Sequence, residues 1–319
     1  MHLLLTTINM NQSTPAPVAL FVFARPDHTR RTLQSLSQNH LADRTKLYVF
    51  ADGPRETATA ETQQGIREVR EIIRERNWCG EVEIIESSEN KGLADSIIGG
   101  VDFVTEKHGR AIILEDDLET SQGFLKYMND ALDAYADDER VMQVSGFNVK
   151  NSRWAPETGF LRVSTSWGWA TWDRAWRLYD NDATTLLERL RPQREEFDLD
   201  GHSFHFEELE RNVAGDLKTW AVRWYASIFL NGGLCLYPRR TLVRNHGFDG
   251  TGANCHADTT DYHRQLKLAD SCRIARQSAK EHPTYLKSMQ QHFDDLKRLW
   301  SGTRFRDRIV RKAKSFFTR

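Results

Sequence analysis

The stretch Ala111-Ile112-Ile113-Leu114-Glu115-Asp116-Asp117 is four apolar residues ending directly in three carboxylates. A short, unbroken apolar run suits a strand buried on both faces, and such strands belong to parallel sheets covered by helices. Unbroken runs recur at Val18–Phe23 and Leu47–Phe50, and strand-like runs with one polar residue each at Val82–Ile85 upstream and Val141–Val144 downstream. Between them apolar residues fall at helical spacing: Leu33 and Leu36; Ile66, Val69 and Ile73; Leu93, Ile97, Val101 and Val104; Phe124, Met128, Ala131 and Tyr135. Asp27 is placed to cap the first helix, from about His28, and Asp52-Gly53-Pro54 is turn chemistry that stops the second strand. Regular βα alternation predicts an α/β fold, a mostly parallel, Rossmann-like sheet flanked by helices. Sheets of this kind take ligands beyond the carboxyl ends of their strands, where the first two strand loops and the acidic triplet all fall.

Several α/β chemistries are excluded at once. The first turn, Ala24-Arg25-Pro26-Asp27-His28, has no glycine, so the dinucleotide fingerprint is missing, and no P-loop motif occurs. With 39% hydrophobic and 28% charged residues in 319, the chain is not wholly disordered, and its net charge of −1 gives no global attraction to nucleic acid. Cys79, Cys235, Cys255 and Cys272 show no metal-type spacing and read as reduced thiols. The three-leucine run near Met1 lacks a basic flank, and no apolar run approaches the roughly 18 residues of a membrane span, so a cytoplasmic protein is expected. Charge is unevenly spread, however. Residues 297–319 hold nine basic residues against the single acid Asp307, interleaved with Trp300, Phe305, Ile309, Val310, Phe316 and Phe317. A basic amphipathic tail of this kind fits an anionic membrane surface.

The second half is aromatic. Seven of the nine tryptophans lie between Trp154 and Trp224, and Trp169, Trp172 and Trp176 fall at helical spacing, as a packed core face would. Acidic, irregular sequence from Arg194 to Glu210 reads as an inserted loop or lid. A helix is expected over Trp220–Leu230 and a strand over Leu234–Leu236, and the glycines of Asn245–Gly252 suggest a mobile loop. No linker interrupts residue 150. The expected organisation is one domain over residues 16–256, with halves 16–150 and 151–256, followed by a helical basic tail over 257–319.

Three consecutive carboxylates at a buried strand end are costly without a compensating positive charge. A hard divalent cation holding a substrate diphosphate, Mn2+ or Mg2+, is the natural partner. Leu114-Glu115-Asp116-Asp117-Leu118-Glu119 followed by Phe124 resembles the metal-binding segment of the N-acetylglucosaminyltransferase I family of GT-A glycosyltransferases. Val18 through Arg31 resembles that family's opening strand and helix, Phe50-Ala51-Asp52-Gly53 its base-binding aspartate, Ser166-Trp167-Gly168-Trp169-Ala170 its Gly-Trp acceptor loop, and Arg244 through His256 its donor-covering loop. The likeness spans residues 16–256.

The resemblance implies a GT-A enzyme that moves a sugar with inversion from a nucleoside diphosphate donor, UDP favoured, to a glycan or lipid-linked acceptor in bacterial surface polysaccharide assembly. It implies that Asp52 and Arg25 line the nucleotide pocket, that Lys91 faces the nucleotide or pyrophosphate, that Glu115 and Asp116 contact sugar and ribose, and that Asp117 binds the metal. Trp167, Gly168 and Trp169 would meet the acceptor. The chain departs from the family at the catalytic base: the acid two residues before a Trp is replaced, ahead of Trp220, by Lys218-Thr219. Asp216 is the first candidate base, with Asp173 and the pair Glu207-Glu208 as rivals. His246 and His256 read as loop residues, and His202 and His205 lack partners for zinc. With the tail, the expected location is cytoplasmic, at the inner face of the membrane. Two rival functions remain: a non-catalytic sugar-nucleotide or glycan-binding protein on the same fold, and a nucleotidyltransferase making the activated sugar, for which the first loop lacks glycines.

Overall fold

The computed structural model of the protein describes residues 14–249 and 266–298. The N-terminal leucines, the loop residues 250–256 with Cys255 and His256, and the tail from residue 299 lie outside the described residues. Ten strands alternate with helices: β1 Val18–Val22, α1 Pro26–Ser37, β2 Lys46–Ala51, α2 Ala60–Ile72, β3 Glu81–Glu86, α3 Leu93–His108, β4 Arg110–Glu115, β5 Leu118–Thr120, α4 Phe124–Ala134, β6 Val141–Ser145 and β7 Thr158–Leu161. There follow β8 Trp169–Trp172, α5 Asp173–Trp176, α6 Ala183–Leu190, α7 Arg194–Phe197, α8 His205–Val213, α9 Ala221–Leu230, β9 Leu234–Pro238 and β10 Val243–Asn245, and residues 283–298 are helical.

Eight strands form one sheet in the order β3-β2-β1-β4-β8-β6-β9-β7. Only β8 and β7 run against the rest, so the fold is α/β with a mostly parallel sheet, as the alternation requires. The pleat divides the core. Val18, Leu20, Val22, Leu47 and Val49 face α1, α2 and α4, whereas Ala19, Phe21, Tyr48 and Ile113 face α3 and the tryptophan-rich second half. The chain moves outward from β1 to β3, then returns through α3 to β4 on the other side of β1. That reversal is the switch point where α/β sheets open a crevice. Phe21 pairs with Glu115 across β1 and β4, so the first loop and the acidic triplet emerge side by side.

Three local expectations change. The first helix opens on Pro26, with Arg25 as its N-cap and no side-chain capping bond, so Asp27 lies in the first turn instead of capping it. Trp169–Trp172 is a strand, β8, not a helical face: three residues apart, Trp169 and Trp172 point to opposite sides and fill the two separate cores. Arg194–Glu210 is no loop; α7 and α8 bury Phe197, Phe206 and Leu209 completely or nearly so. The described part of the 257–319 segment is also packed. His282 N donates to Phe160 O (2.9 Å), Arg162 pairs with Glu281 (2.8 Å), and Met289 and Phe293 join the aromatic core. Among the described residues no helix is long and apolar enough to cross a membrane. Cys79 and Cys235 are buried free thiols, and Cys272 is a free thiol near the surface.

Candidate functional site

The acidic triplet follows β4 and is held from three sides. Arg25, just beyond β1, ion-pairs with the Asp116 carboxylate and with Asp117 Oδ2 (2.9 Å). Thr32 Oγ1 on α1 donates to the Asp116 carbonyl (2.7 Å). The third side is β10, which pairs antiparallel with β5 and brings the next residues over the acids: His246 N donates to the Asp117 carbonyl (2.9 Å), and His246 Nε2 donates to Glu119 Oε2 (2.6 Å). The His246 bond, helped by Arg244, holds the Glu119 carboxyl below the usual range. Gly247 lies so close that a Cβ there would run into Asp117 Oδ2. Asp116 and Asp117 are 4% and 8% exposed, and one guanidinium serves them both.

One positive charge does not balance the triplet. Burial first, then the charges of Asp117 and Asp116, push the Glu115 carboxyl up to about 8, and burial raises Asp116 despite Arg25. Asp117 Oδ1 accepts no hydrogen bond among the described residues. The set therefore has room for a second cation. Among the described residues no three His, Cys, Asp or Glu are grouped to hold a metal alone. The arrangement fits Mg2+ or Mn2+, which bind through one or two carboxylates and complete their shell with water and substrate phosphate.

Glu115 and Asp117 open into a cavity of about 360 Å³. Trp167 lines it, edge-on to Phe147 (4.4 Å between centroids) and to Phe248 (5.4 Å). Gly168 sets that ring: its φ of +62° and the approach of Val243 Cγ2 to within 2.8 Å of a would-be Cβ leave no place for another residue. The cavity is also lined by Phe204, His205 and Glu208 of the α8 region, Thr219 and Trp220 ahead of α9, and Met289, His292 and Phe293 of the 283–298 helix. Burial drives both imidazoles neutral, His205 to about 3 and His292 to about 4. Glu208 is raised by burial, against the hydrogen bond from Thr219.

The structure brings together Arg25, Glu115, Asp116, Asp117, Trp167 and Gly168. It sets the others apart. Asp52, half-buried at the end of β2, accepts four hydrogen bonds within the protein, from Gly53 N, Lys91 N, Gly92 N and Asn90 Nδ2 (2.9–3.0 Å). Those fill the capacity of a carboxylate, so as found it clamps the β3–α3 loop. The Lys91 side chain is exposed beside it. Trp169 is fully buried, stacked on Trp220 (5.2 Å, 21° between planes), behind the cavity wall. Asp216 stands exposed and does not line the cavity, and Asp173 pairs with Arg177 at the surface. His202 pairs with Asp294, and His205 bonds Ser203. Phe248 belongs to the Arg244–His256 segment singled out in the sequence, whereas its partner against Trp167, Phe147, lies in no motif.

The buried histidines give a stability prediction. Their folded pKa values lie below the ordinary 6.5, so the unfolded chain binds more protons between about 4 and 6.5, and stability falls as pH drops through that window. Between pH 7 and 5.5 each contributes a loss of about 1 kcal/mol. Urea unfolding of wild type and of a His205→Gln/His292→Gln variant at the two pH values should show a clearly flatter response in the variant; equal slopes would contradict it.

Comparison with known proteins finds one family model and several solved structures to which the chain is similar. A nucleotidyl transferase family model matches residues 28–158, beginning after the first loop. No curated protein matches the chain in sequence. Among solved structures, it is similar to the mannosyltransferase PcManGT from Pyrobaculum calidifontis in complex with GDP-Man and Mn2+ (12% identity, 68% of this chain and 69% of that one, TM-score 0.38). It is also similar to the galactosyltransferase LgtC in complex with donor and acceptor sugar analogues (8% identity, 88% and 94% covered, TM-score 0.39). A third similar structure is a UDP-glucose pyrophosphorylase complexed with UDP-glucose (9% identity, 70% and 90% covered, TM-score 0.36).

Proposed function

We propose that the protein is a metal-dependent GT-A glycosyltransferase that moves a sugar from a nucleoside diphosphate donor to a hydroxyl of a glycan or lipid-linked acceptor, with inversion. One observation carries the reading: an acid triplet at the sheet's switch point, only partly neutralised by Arg25, opens into an aromatic-walled cavity. A nucleotide pyrophosphate needs cations at one end, and a sugar suits an amphipathic ring such as Trp167 at the other. The likeness of residues 16–256 to the N-acetylglucosaminyltransferase I family, the preference for UDP, a role in surface polysaccharide assembly, and membrane contact through the basic tail are finer parts of this proposal.

In this reading Asp117 would hold Mn2+ or Mg2+, and the ion would supply positive charge to the departing nucleoside diphosphate. Arg25 orients the two aspartates and adds positive charge beside the pyrophosphate. Trp167 positions the acceptor, and Phe248 with the His246–Glu119 bond closes β10 over the donor.

Titration of the full chain with UDP, GDP and CMP, each with and without Mn2+, tests it. Metal-dependent binding of one diphosphate, followed by turnover of the matching sugar nucleotide, is the expected result; no metal-dependent binding of any would sink it. The match over residues 28–158 favours a second reading, a nucleotidyl transferase that joins a nucleoside triphosphate and a sugar 1-phosphate. Release of pyrophosphate from UTP or GTP with glucose 1-phosphate would select that one.

Gly247→Ala tests the closeness of β10's continuation to the acids. Its methyl group must displace Asp117 or the loop. A drop of about tenfold or more in Mn2+-dependent diphosphate affinity is expected, on the scale of losses from disturbed outer-shell partners. Isothermal titration gives the number, and unchanged affinity would refute the contact.

A further inference from the structure

We infer that Glu208 is the catalytic base of this transfer, an assignment that rests on the glycosyltransferase reading and deepens it. The carboxylate missing ahead of Trp220 in the sequence is supplied in space from α8. Thr219 Oγ1 donates to Glu208 Oε1 (2.9 Å). Thr219 is itself fixed twice by Asn212, whose Nδ2 donates to the hydroxyl (3.0 Å) and whose Oδ1 accepts from Thr219 N (3.0 Å). Asn212 Nδ2 also donates to the Glu208 carbonyl (2.9 Å), so the side chain that orients the acid is tied to the acid's own helix. Glu208 Oε2 receives no hydrogen bond among the described residues.

A base needs this division of labour: one oxygen held in place, the other available to a substrate proton. Three acids line the cavity, namely Glu115, Asp117 and Glu208. The first two belong to the triplet that Arg25 and the donor engage. Glu208 lines the same cavity from a different element, α8, together with Thr219 and His205. Asp216 and Glu207 are exposed and outside the lining.

The step balances simply. Oε2 takes the proton of the acceptor hydroxyl, the oxygen's lone pair forms the new bond to the anomeric carbon, and the bond from that carbon to the phosphate oxygen breaks, its electron pair leaving with the nucleoside diphosphate. Glu208 then returns the proton to solvent. Arg211 on its own helix acts on Glu208, and Lys218 ahead of α9, His205 and His292, both imidazoles neutral through burial, line the same cavity. Burial raises Glu208, so the basic form fills at higher pH than for a free carboxylate.

The test uses the full chain with Mn2+ and a panel of UDP-glucose, UDP-galactose, UDP-N-acetylglucosamine and GDP-mannose, reading release of diphosphate to water and to added glycans. Glu208→Gln, which keeps the Thr219 bond, should lower kcat by about 10²- to 10⁴-fold with diphosphate affinity unchanged. Thr219→Val should retain turnover but move the acidic limb of the pH–rate profile upward, because the lost bond favoured the charged form. Normal turnover in Glu208→Gln with normal diphosphate binding overturns the assignment alone. Wild-type protein that binds no diphosphate, or binds it and turns over no donor, overturns the transferase reading and the assignment with it.

Discussion

Replacing Asp117 by Asn is expected to abolish Mn2+-dependent diphosphate binding and to cut donor turnover by about 10³, while the unfolding midpoint holds or rises. The functional loss follows from the ligand set. Asp117 Oδ2 is engaged by Arg25, Oδ1 accepts no hydrogen bond among the described residues, and the residue lines the cavity. An amide oxygen is a far poorer partner for a hard cation than a carboxylate. Losing several kcal/mol of charge stabilisation at the leaving group corresponds to about a thousandfold. The stability argument runs the other way. Asp117 is one of the two charges that, after burial, push Glu115 up. An isosteric neutral residue relieves that repulsion and leaves Arg25 paired with Asp116. A site residue whose removal costs function and spares stability is what an arrangement selected for binding should show. Titration calorimetry and urea unfolding of the one variant measure both. Retained metal-dependent binding would remove Asp117 from the site, and a large stability loss would mark it as a structural acid.

What the sequence discloses follows a physical division. The strands β1, β2, β4 and β6 are buried on both faces, so each is written as a mostly apolar run, whereas β3 at the sheet edge is only half-buried and alternates with glutamates. Their alternation with amphipathic helices then leaves little freedom in topology, and it places Arg25 and Glu115–Asp117 at one edge. The return strand β8 is less legible. Tryptophans at positions 169 and 172 suit a helix face by spacing, and only the two-sided burial of an interior strand makes them point apart. Asp52 shows another limit: nothing in Asp-Gly-Pro reveals that the loop 38 to 40 residues later spends its lone pairs. Glu208 lay among the acids of a stretch read as irregular. Its distinction from Glu207 next door is a matter of which side of α8 meets the cavity, and that is decided by Phe206 and Leu209 locking the helix into the aromatic core.

Arg25→Met is expected to destabilise the fold by about 3–5 kcal/mol near pH 8, the usual result of removing one partner from a buried ion pair. Arg25 is the only cation within ion-pair distance of Asp116 and Asp117 among the described residues, and both acids are more than nine-tenths buried. Without it the folded Asp116 carboxyl, which burial already raises, would titrate still further above its unfolded value. For carboxyls raised in this way the penalty is absent below the unfolded pKa and grows as pH rises through the folded one. The deficit relative to wild type should therefore shrink toward pH 5. A companion substitution, Asp116→Asn, should restore part of the loss, since the two residues share one contact. The same variant also bears on the metal. If the triplet accepts a divalent cation, Mn2+ at millimolar concentration should stabilise Arg25→Met more than wild type, because binding to the folded state alone adds RT ln(1 + [L]/Kd) and the cation meets one competitor fewer. Urea unfolding with and without Mn2+ reads the difference. A variant that Mn2+ leaves as unstable as before would mean that the acids were gathered for the guanidinium alone, and the case for a metal-held donor would fall with them.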